Sequence, residues 1–479
     1  MKDSITREIF QKKLKIFLLK LTHFLITIVL FTCAWILFRY HGKPDLVVEG
    51  FRYNYFVVIC YGIAVFFFNR TYNAYLLGYS RIRALVFAQI LSQVFSAAIL
   101  YLSVSIAWNH FDSPLVFAVL LALQFLYDIL WSYLASRFYF RINPPRRTIL
   151  IYRNPLDLKR FGSISGKPSE RLYRIEKEIM YDGTFHDLQE QLEGYDAIFV
   201  AGVNSRCRNG ILKYCQEQNL PGFFLPHVGD VIMQQAQHIK AFDSPILLLG
   251  RKVLNPEYAL AKRAFDIFAS ALGLIVLSPI LLITALAIKL YDGGPAIYKQ
   301  VRLTKDGKQF KIWKFRSMRV DAEKDGVARL STGDKDDRIT PIGRIVRKCR
   351  LDELPQLWNI LRGDMSVVGP RPERPEIAEQ YYRTMPDFKL RLQVKAGLTG
   401  YAQIYGKYNT DPYEKLEFDL MYIKNMSVLT DLQLMFATFG ILFNSESTKG
   451  VDAGAVTALD YEGNDEDNSQ EDKIPVEVK

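Results

Sequence analysis

Hydrophobic residues are spread unevenly along this chain. Four apolar stretches dominate its first part: Leu14 to Phe38, Phe51 to Phe68, Ala84 to Trp108 and Leu115 to Phe140. A helix needs about 20 apolar residues to cross a hydrocarbon core about 30 Å thick, so residues 14–140 are predicted to form four transmembrane helices. The second stretch is short and carries Asn54. The first carries Lys15 and Lys20, whose long stems let the charge reach the membrane edge. Asp128 inside the fourth is costly in lipid and predicts a polar partner within the bundle.

Loop charges set the orientation, because cytoplasmic loops carry an excess of Lys and Arg. Arg70, Arg81 and Arg83 lie between the second and third stretches, and Arg137, Arg141, Arg146 and Arg147 close the fourth. The loop Asn109 to Pro114 has no Lys or Arg, and the first loop is mixed. Residues 1–13 show no signal-peptide cleavage pattern and end in the basic Lys12-Lys13. Both termini, and everything after Arg141, are therefore expected in the cytoplasm.

The pattern changes at Pro144-Pro145, which marks a boundary. Thr148 to Tyr152, Asp196 to Ala201 and Gly222 to Pro226 read as buried strands, with Gly210 to Gln218 helical between the last two. Strands alternating with helices predict a parallel α/β sheet over residues 146–250. A nucleotide-binding unit of this kind carries Gly-x-Gly-x-x-Gly after its first strand. This chain has Arg153-Asn154-Pro155-Leu156-Asp157 there, so a structural or regulatory role is expected instead.

A further apolar run covers residues 264–288, about 25 residues or roughly 37 Å of helix. Ser278-Pro279 interrupts it, and an internal proline removes a donor and kinks or breaks a helix. Lys262 and Arg263 precede the run, while Lys289, Lys299, Arg302, Lys305, Lys308 and Lys311 follow it. A single crossing would place one basic block outside the cell. A helix hairpin hinged at Ser278 and Pro279 would enter and leave on the cytoplasmic face, with its broken backbone covered by protein or water.

The 479 residues carry a net charge of +11 and are 49% hydrophobic, which excludes a disordered or collagen-like chain. Five scattered cysteines without a CxxC pair, and six histidines without HExxH, argue against a disulfide scaffold and a zinc site. The tail 449–479 is acidic, with Asp465-Glu466-Asp467 and Glu471-Asp472, and is expected to be disordered.

The chemistry concentrates between Tyr298 and Asp431. Lys311 to Met318 (KIWKFRSM) alternates like a strand and ends in a basic turn. Pro341 to Arg350 (PIGRIVRKCR) spaces Ile342, Ile345 and Val346 as a helix flanked by Arg344, Arg347 and Lys348. Such a helix suits an anionic membrane surface, or ordinary packing on a core. Pro355 fits the first position of a helix running to Leu361, which puts Asp352-Glu353 at its N-terminal end. Partial positive charge there favours anions, both carboxylates and phosphates. Adjacent acids point in different directions, so one can attack while the other holds a metal. Gly369-Pro370-Arg371-Pro372-Glu373 is a stiff turn presenting Arg371, whose guanidinium suits a phosphate. Lys395 to Gly406 (KAGLTGYAQIYG) is glycine-rich, able to cradle a phosphate or stack on a base.

These motifs carry a resemblance. KRAFD, the mid-run Ser-Pro, KFRSM, LDELPQLWNILRGDMSVVGPRPE and LTGYAQIYG occur in the order found in the bacterial sugar transferases. These are the polyprenyl-phosphate phosphoglycosyl transferases of the single re-entrant-helix type. The segment from Lys262 to Phe443 resembles their catalytic domain, and the whole chain resembles the long form, such as the undecaprenyl-phosphate glucose or galactose phosphotransferases. Tyr401 stands where Trp is usual, Ala396 where Pro is frequent and Lys407 where Arg is usual, which weakens any reading of the sugar.

The resemblance implies a fold class, membrane α-helical plus α/β. Four transmembrane helices would lead to a degenerate Rossmann-like cytoplasmic domain. A catalytic α/β domain over 258–448 would follow, anchored by the re-entrant hairpin. The setting would be the bacterial inner membrane, with the catalytic domain on its cytoplasmic face and a homodimer as the assembly of long members. Asp352 would be the nucleophile on a UDP-sugar, releasing UMP and leaving an aspartyl phosphosugar, a covalent intermediate of the kind carboxylates form. Polyprenyl phosphate would take the sugar phosphate from it, in the first membrane step of exopolysaccharide, capsule or O-antigen assembly. Mg²⁺ would be the cofactor, with Glu353 its protein ligand. Lys262, Arg263, Arg316, Arg371 and Asp411 complete the implied substrate-binding set, Arg371 and Arg316 on phosphate oxygens and Asp411 in positioning. Membrane lipid is an expected partner, and nucleic acid is not. Two rival readings are a membrane-tethered nicotinamide-dependent sugar-nucleotide dehydratase, which needs the missing glycine fingerprint, and a non-enzymatic polysaccharide assembly protein, which would not need Asp352.

Overall fold

The computed structural model describes residues 2–40, 51–111, 113–155, 157–158, 171–241, 244–250, 254–320, 322, 336, 338–406 and 411–442. The acidic tail and Lys407 lie outside them. The chain divides into two compact units, Met1–Leu225 and Pro226–Lys479.

The first unit opens with α1 (Lys2–Tyr40), α2 (Phe51–Thr71), α3 (Ile82–Trp108) and α4 (Leu115–Ile142). Each contains a stretch long and apolar enough to cross a membrane, so the chain is a membrane protein with four candidate spans. Large apolar side chains such as Phe56, Ile63, Leu126 and Leu130 face outward, as lipid-facing surfaces require.

The bundle interior explains the polar residues that broke the pattern. Asp128 on α4 lies 3.0 Å from His23 Nε2 on α1 and accepts from Gln93 Nε2 on α3 at 3.1 Å. His23 Nδ1 lies 2.9 Å from the Tyr75 hydroxyl, which accepts in turn from Asn69 on α2. The partner expected for Asp128 is therefore a network touching all four helices. Asn54 likewise accepts from Trp35 Nε1 at 3.0 Å, so the polar group of the short second span is satisfied.

A parallel sheet follows, with strands β1 (Arg146–Tyr152), β2 (Tyr173–Met180), β3 (Ala197–Ala201) and β4 (Gly222–Phe224) in the order β2-β1-β3-β4. Period two divides its residues. Ile149, Ile151, Ile198 and Val200 join Cys207, Ile211 and Cys215 of α5 (Ser205–Gln218) in one core, while Leu150 and Phe199 face the other side. Helix α5 begins five residues earlier than its apolar spacing indicated, because Asn204 accepts from Cys207 N at 2.8 Å and caps it. β2 was missed because it is an edge strand rich in charged, exposed residues. In the turn after β1, Asp157 packs so closely on Gly202 that a Cβ there would lie 1.9 Å from its carboxylate.

The second unit begins with α6 (Val228–Met233) and the antiparallel hairpin β5 (Gln237–Ala241) and β6 (Ser244–Leu248). Next come α7 (Pro256–Val276) and α8 (Ser278–Asp292), both apolar and bent 62° to each other. Leu277 sits at the bend with φ −88° and ψ 0°, and Ser278 Oγ donates to Ile275 O at 2.7 Å. The antiparallel pair β7 (Ile297–Leu303) and β8 (Gln309–Phe315) follows, then α9 (Pro341–Lys348) and α10 (Gln356–Arg362). Strands β9 (Ser366–Val368) and β10 (Gly397–Thr399) pair in parallel, and α11 (Pro412–Lys424) and α12 (Val428–Leu442) close the unit. One core joins Phe310 and Ile312 of β8, Leu357 and Ile360 of α10, Val367 and Val368 of β9, Leu416 and Leu420 of α11, and Leu434 of α12.

Candidate active site

The acidic pair sits on a short 3₁₀ turn, Leu351–Glu353, between α9 and α10. Arg350 enters this turn at φ 55° and ψ 20°, a left-handed conformation that costs a non-glycine residue roughly 1 kcal/mol or more. Pro355 caps α10, which runs one residue past the expected end to Arg362. Buried Asn359 fixes that helix against β8. It accepts from Trp313 N at 2.9 Å and donates to Lys311 O at 2.8 Å.

That docking brings Lys314 of β8 to the acidic turn, a residue the sequence reading passed over. Its Nζ lies 3.6 Å from Glu353 Oε1. Arg371 Nη2 donates to the same oxygen at 2.9 Å, and Arg350 Nη1 lies 3.8 Å from Oε2. Glu353 is thus enclosed by three cations. Burial opposes its ionisation, but the charges of Arg371, Lys314 and Arg350 outweigh burial and hold its carboxyl below the ordinary range. Asp352 behaves in the opposite way. Burial first, and then the Glu353 charge beside it, push its carboxyl up to about 6. Burial likewise brings the Lys314 ammonium down to about 8, with Arg371 adding to the effect against the pull of Glu353. Arg347 of α9 helps to stabilise charge on Asp352, and its Nη1 is buried with no hydrogen-bond partner among the described residues.

Arg371 comes from the stiff turn after β9, and its side chain remains 42% exposed. The glycines around it serve backbone packing. A Cβ on Gly397 would fall 2.0 Å from Gly369 N, and one on Gly400 would fall 2.3 Å from Gly369 O. The glycine-rich segment therefore lies backbone to backbone on the Gly369-Pro370-Arg371 turn.

The other residues read as substrate contacts hold protein groups. Lys262 Nζ donates to Asp431 at 2.7 Å, Val368 O at 3.0 Å and the Tyr422 hydroxyl at 3.1 Å. Arg263 donates to Ile360 O and Leu361 O, each at 2.8 Å. Arg316 is buried in an ion pair with Asp292 and donates to Pro295 O, which joins the end of α8 to the turn after β8. Asp411 caps α11 by accepting from Tyr413 N at 2.8 Å. The structure thus gathers Asp352, Glu353 and Arg371 at one place, and uses Lys262, Arg263, Arg316 and Asp411 in contacts within the unit.

The profile of the bacterial sugar transferases matches residues 257–445, which contain the whole site. The chain is 43% identical to the exopolysaccharide production protein PSS of Rhizobium leguminosarum bv. phaseoli, over 40% of this chain and 96% of that protein. It belongs to the bacterial sugar transferase family. Within the family, it is 40% identical to a UDP-N-acetylgalactosamine-undecaprenyl-phosphate N-acetylgalactosaminephosphotransferase of Aeromonas hydrophila, over 54% of this chain and 58% of that protein. It is 45% identical to a UDP-glucose:undecaprenyl-phosphate glucose-1-phosphate transferase of Escherichia coli, over 40% of this chain and 42% of that protein. The chain spans about half the length of these last two relatives.

Among the described residues, no three His, Cys, Asp or Glu side chains converge as a metal cage. Mg²⁺ commonly takes one or two carboxylates and completes its shell with substrate phosphates and water. Glu353 alone is the carboxylate that would hold the ion in such an arrangement, with Asp352 left to attack.

Proposed function

We propose that this sugar transferase moves a sugar-1-phosphate from a UDP-sugar to a polyprenyl phosphate, giving polyprenyl diphosphate-sugar and UMP. The observation that carries the reading is geometric: the Asp352-Glu353 turn has Lys314, Arg350 and Arg371 gathered on Glu353, while burial raises the Asp352 carboxyl and Arg347 opposes that rise. A carboxylate of raised pKa is more basic once ionised, as a nucleophile requires, and a diphosphate needs cations. This turn supplies both.

In the first half-reaction an Asp352 carboxylate oxygen attacks the phosphorus that bears the sugar. The bond from that phosphorus to the bridging oxygen breaks, and UMP leaves with the electron pair. An aspartyl phosphosugar remains. In the second, an oxygen of the polyprenyl phosphate attacks the same phosphorus, and the phosphorus–aspartate bond breaks to restore the carboxylate. Arg371 binds donor phosphate oxygens, and the Arg347 Nη1, which has no partner among the described residues, offers a further donor beside the nucleophile. Lys314 keeps Glu353 ionised, and Glu353 keeps the cations in place. Mg²⁺, when bound by Glu353 together with the donor diphosphate, would neutralise the leaving group.

One substrate is soluble and the other has a long lipid tail, so the chemistry belongs at a membrane surface. The bent pair α7–α8 supports a re-entrant hairpin that enters and leaves on the cytoplasmic face of the inner membrane. Exposed Ile345 and the basic residues of α9 suit the same surface. The degenerate Rossmann-like sheet and a homodimer belong to the same reading of a long family member, placed at the first membrane step of polysaccharide assembly.

The test is a UMP-release screen over UDP-sugars, with membrane-extracted protein and undecaprenyl phosphate. D352N is expected to lower release by at least about 10³-fold and to abolish a phosphosugar adduct in intact-protein mass spectrometry. Release by D352N at the wild-type rate, or an adduct on another residue, rejects the mechanism.

A further inference from the structure

The reading of Arg371 as a phosphate ligand raises the question of what aims it, and this inference rests on that reading. The segment Val368 to Glu373 contains two prolines, which have no N–H to donate, so its carbonyls carry most of the anchoring. They are held one after another. Val368 O accepts from Lys262 Nζ at 3.0 Å, and Pro370 O from Gly397 N at 2.9 Å. Arg371 O accepts from Arg391 Nη2 at 2.9 Å. Pro372 O accepts from Arg302 Nη1 at 3.1 Å, and Glu373 O from Leu303 N at 3.0 Å.

The clamp on Arg371 itself has an unusual source. Arg391 lies in a 3₁₀ helix, Pro386–Gln393, and is ion-paired to Asp419 of α11 at 2.7 Å, with side chains 4% and 1% exposed. Its Nη1 also lies 3.6 Å from Glu373 Oε1. A buried ion pair adds little net stability compared with apolar residues of equal volume, because both charges lose water. Here the desolvated guanidinium spends one further N–H on the backbone of the one residue in the turn that reaches Glu353. The planar fork matters, since one group meets a carboxylate and a carbonyl at fixed angles. A lysine ammonium cannot reproduce that geometry.

We propose that Arg391, held by Asp419, is a positioning residue for donor binding: it fixes the Arg371 carbonyl and thereby directs the Arg371 side chain to the phosphate site beside Asp352. Neither Arg391 nor Asp419 lies in the motifs that marked the site in the sequence.

The experiment is steady-state kinetics on the full-length, detergent-extracted protein, with the UDP-sugar that wild type accepts and undecaprenyl phosphate. R391K and D419N are each expected to raise the donor KM about tenfold or more, with kcat changed far less. In an R371A background, R391K should add no further loss, because the residue it serves is gone. A donor KM unchanged in both single variants overturns the proposal. So does an R391K loss that persists in full on R371A, or failure of both R391K and D419N to fold, since each marks a purely structural pair. Absence of UMP release by wild type with every UDP-sugar is distinguishable from these results, and it would remove the functional reading and this inference together.

Discussion

Arg263 donates to the backbone carbonyls of Ile360 and Leu361, each at 2.8 Å. The donor sits on the first apolar helix of the bent pair, and the acceptors end the helix that follows Asp352-Glu353. The last carbonyls of a helix lack partners within it, and a cation there is favourable on both hydrogen-bonding and dipole grounds. One residue earlier, Lys262 reaches Val368 O beside the Arg371 turn. Asp266, one turn on, accepts from Val367 N at 2.9 Å and Ser366 Oγ at 3.0 Å. The KRAFD segment therefore ties the apolar pair to the helix that follows the acidic turn and to the strand that leads into the Arg371 turn.

The acid limb of the reaction should lie near pH 6. Asp352 attacks only as the carboxylate, and its carboxyl titrates at about 6 because burial and Glu353 oppose the charge. Below that value the first half-reaction should fall roughly tenfold per pH unit, as the ionised fraction does. Pre-steady-state UMP bursts from about pH 4.5 to about pH 8 measure it. A burst independent of pH across that range removes Asp352 from the attack.

Lys314 should shape both limbs. Removing a cation beside two carboxylates makes them harder to ionise, so K314M should move the acid limb upward. Wild type should also lose activity above about 8 as the Lys314 ammonium deprotonates, and K314M should lack that fall. The pH profile of kcat/KM for the two proteins is the check.

The glycine-rich segment should fail by backbone crowding. G397A would place a methyl 2.0 Å from Gly369 N, with backbone on the other side and no flexible side chain to yield. Overpacking of this kind costs about 1–3 kcal/mol or more. The unfolding midpoint of extracted protein should drop and UMP release with it. Alanine at Gly293 is a different matter, since open space surrounds its Cβ position and only its φ of +70° resists the change.

The hairpin reading places Lys299 on the cytoplasmic side. K299C, in a chain whose five native cysteines are replaced by serine, should resist impermeant maleimide in intact cells and react after permeabilisation. Labelling from outside would instead make α7–α8 a single bent crossing.

Much of this molecule was legible in the order of its residues. Four apolar stretches foretold α1 to α4, although α1 begins at Lys2 rather than Leu14, and buried runs marked three of the four strands of the parallel sheet, because periodicity is a local property. The acidic pair and Arg371 also stood out, since each lies in a compact motif. What the sequence alone left open was which charges serve a ligand and which hold the fold. Lys262 and Asp431 are 169 residues apart, and Arg391 and Asp419 are 28 apart. A basic residue looks the same in a motif whether its partner is a phosphate or a distant carbonyl. Only folding shows which partner each one meets: it sets Lys262, Arg263 and Arg391 against protein acceptors far away in sequence and the half-exposed Arg371 against Glu353, because a charge taken out of water must find a partner.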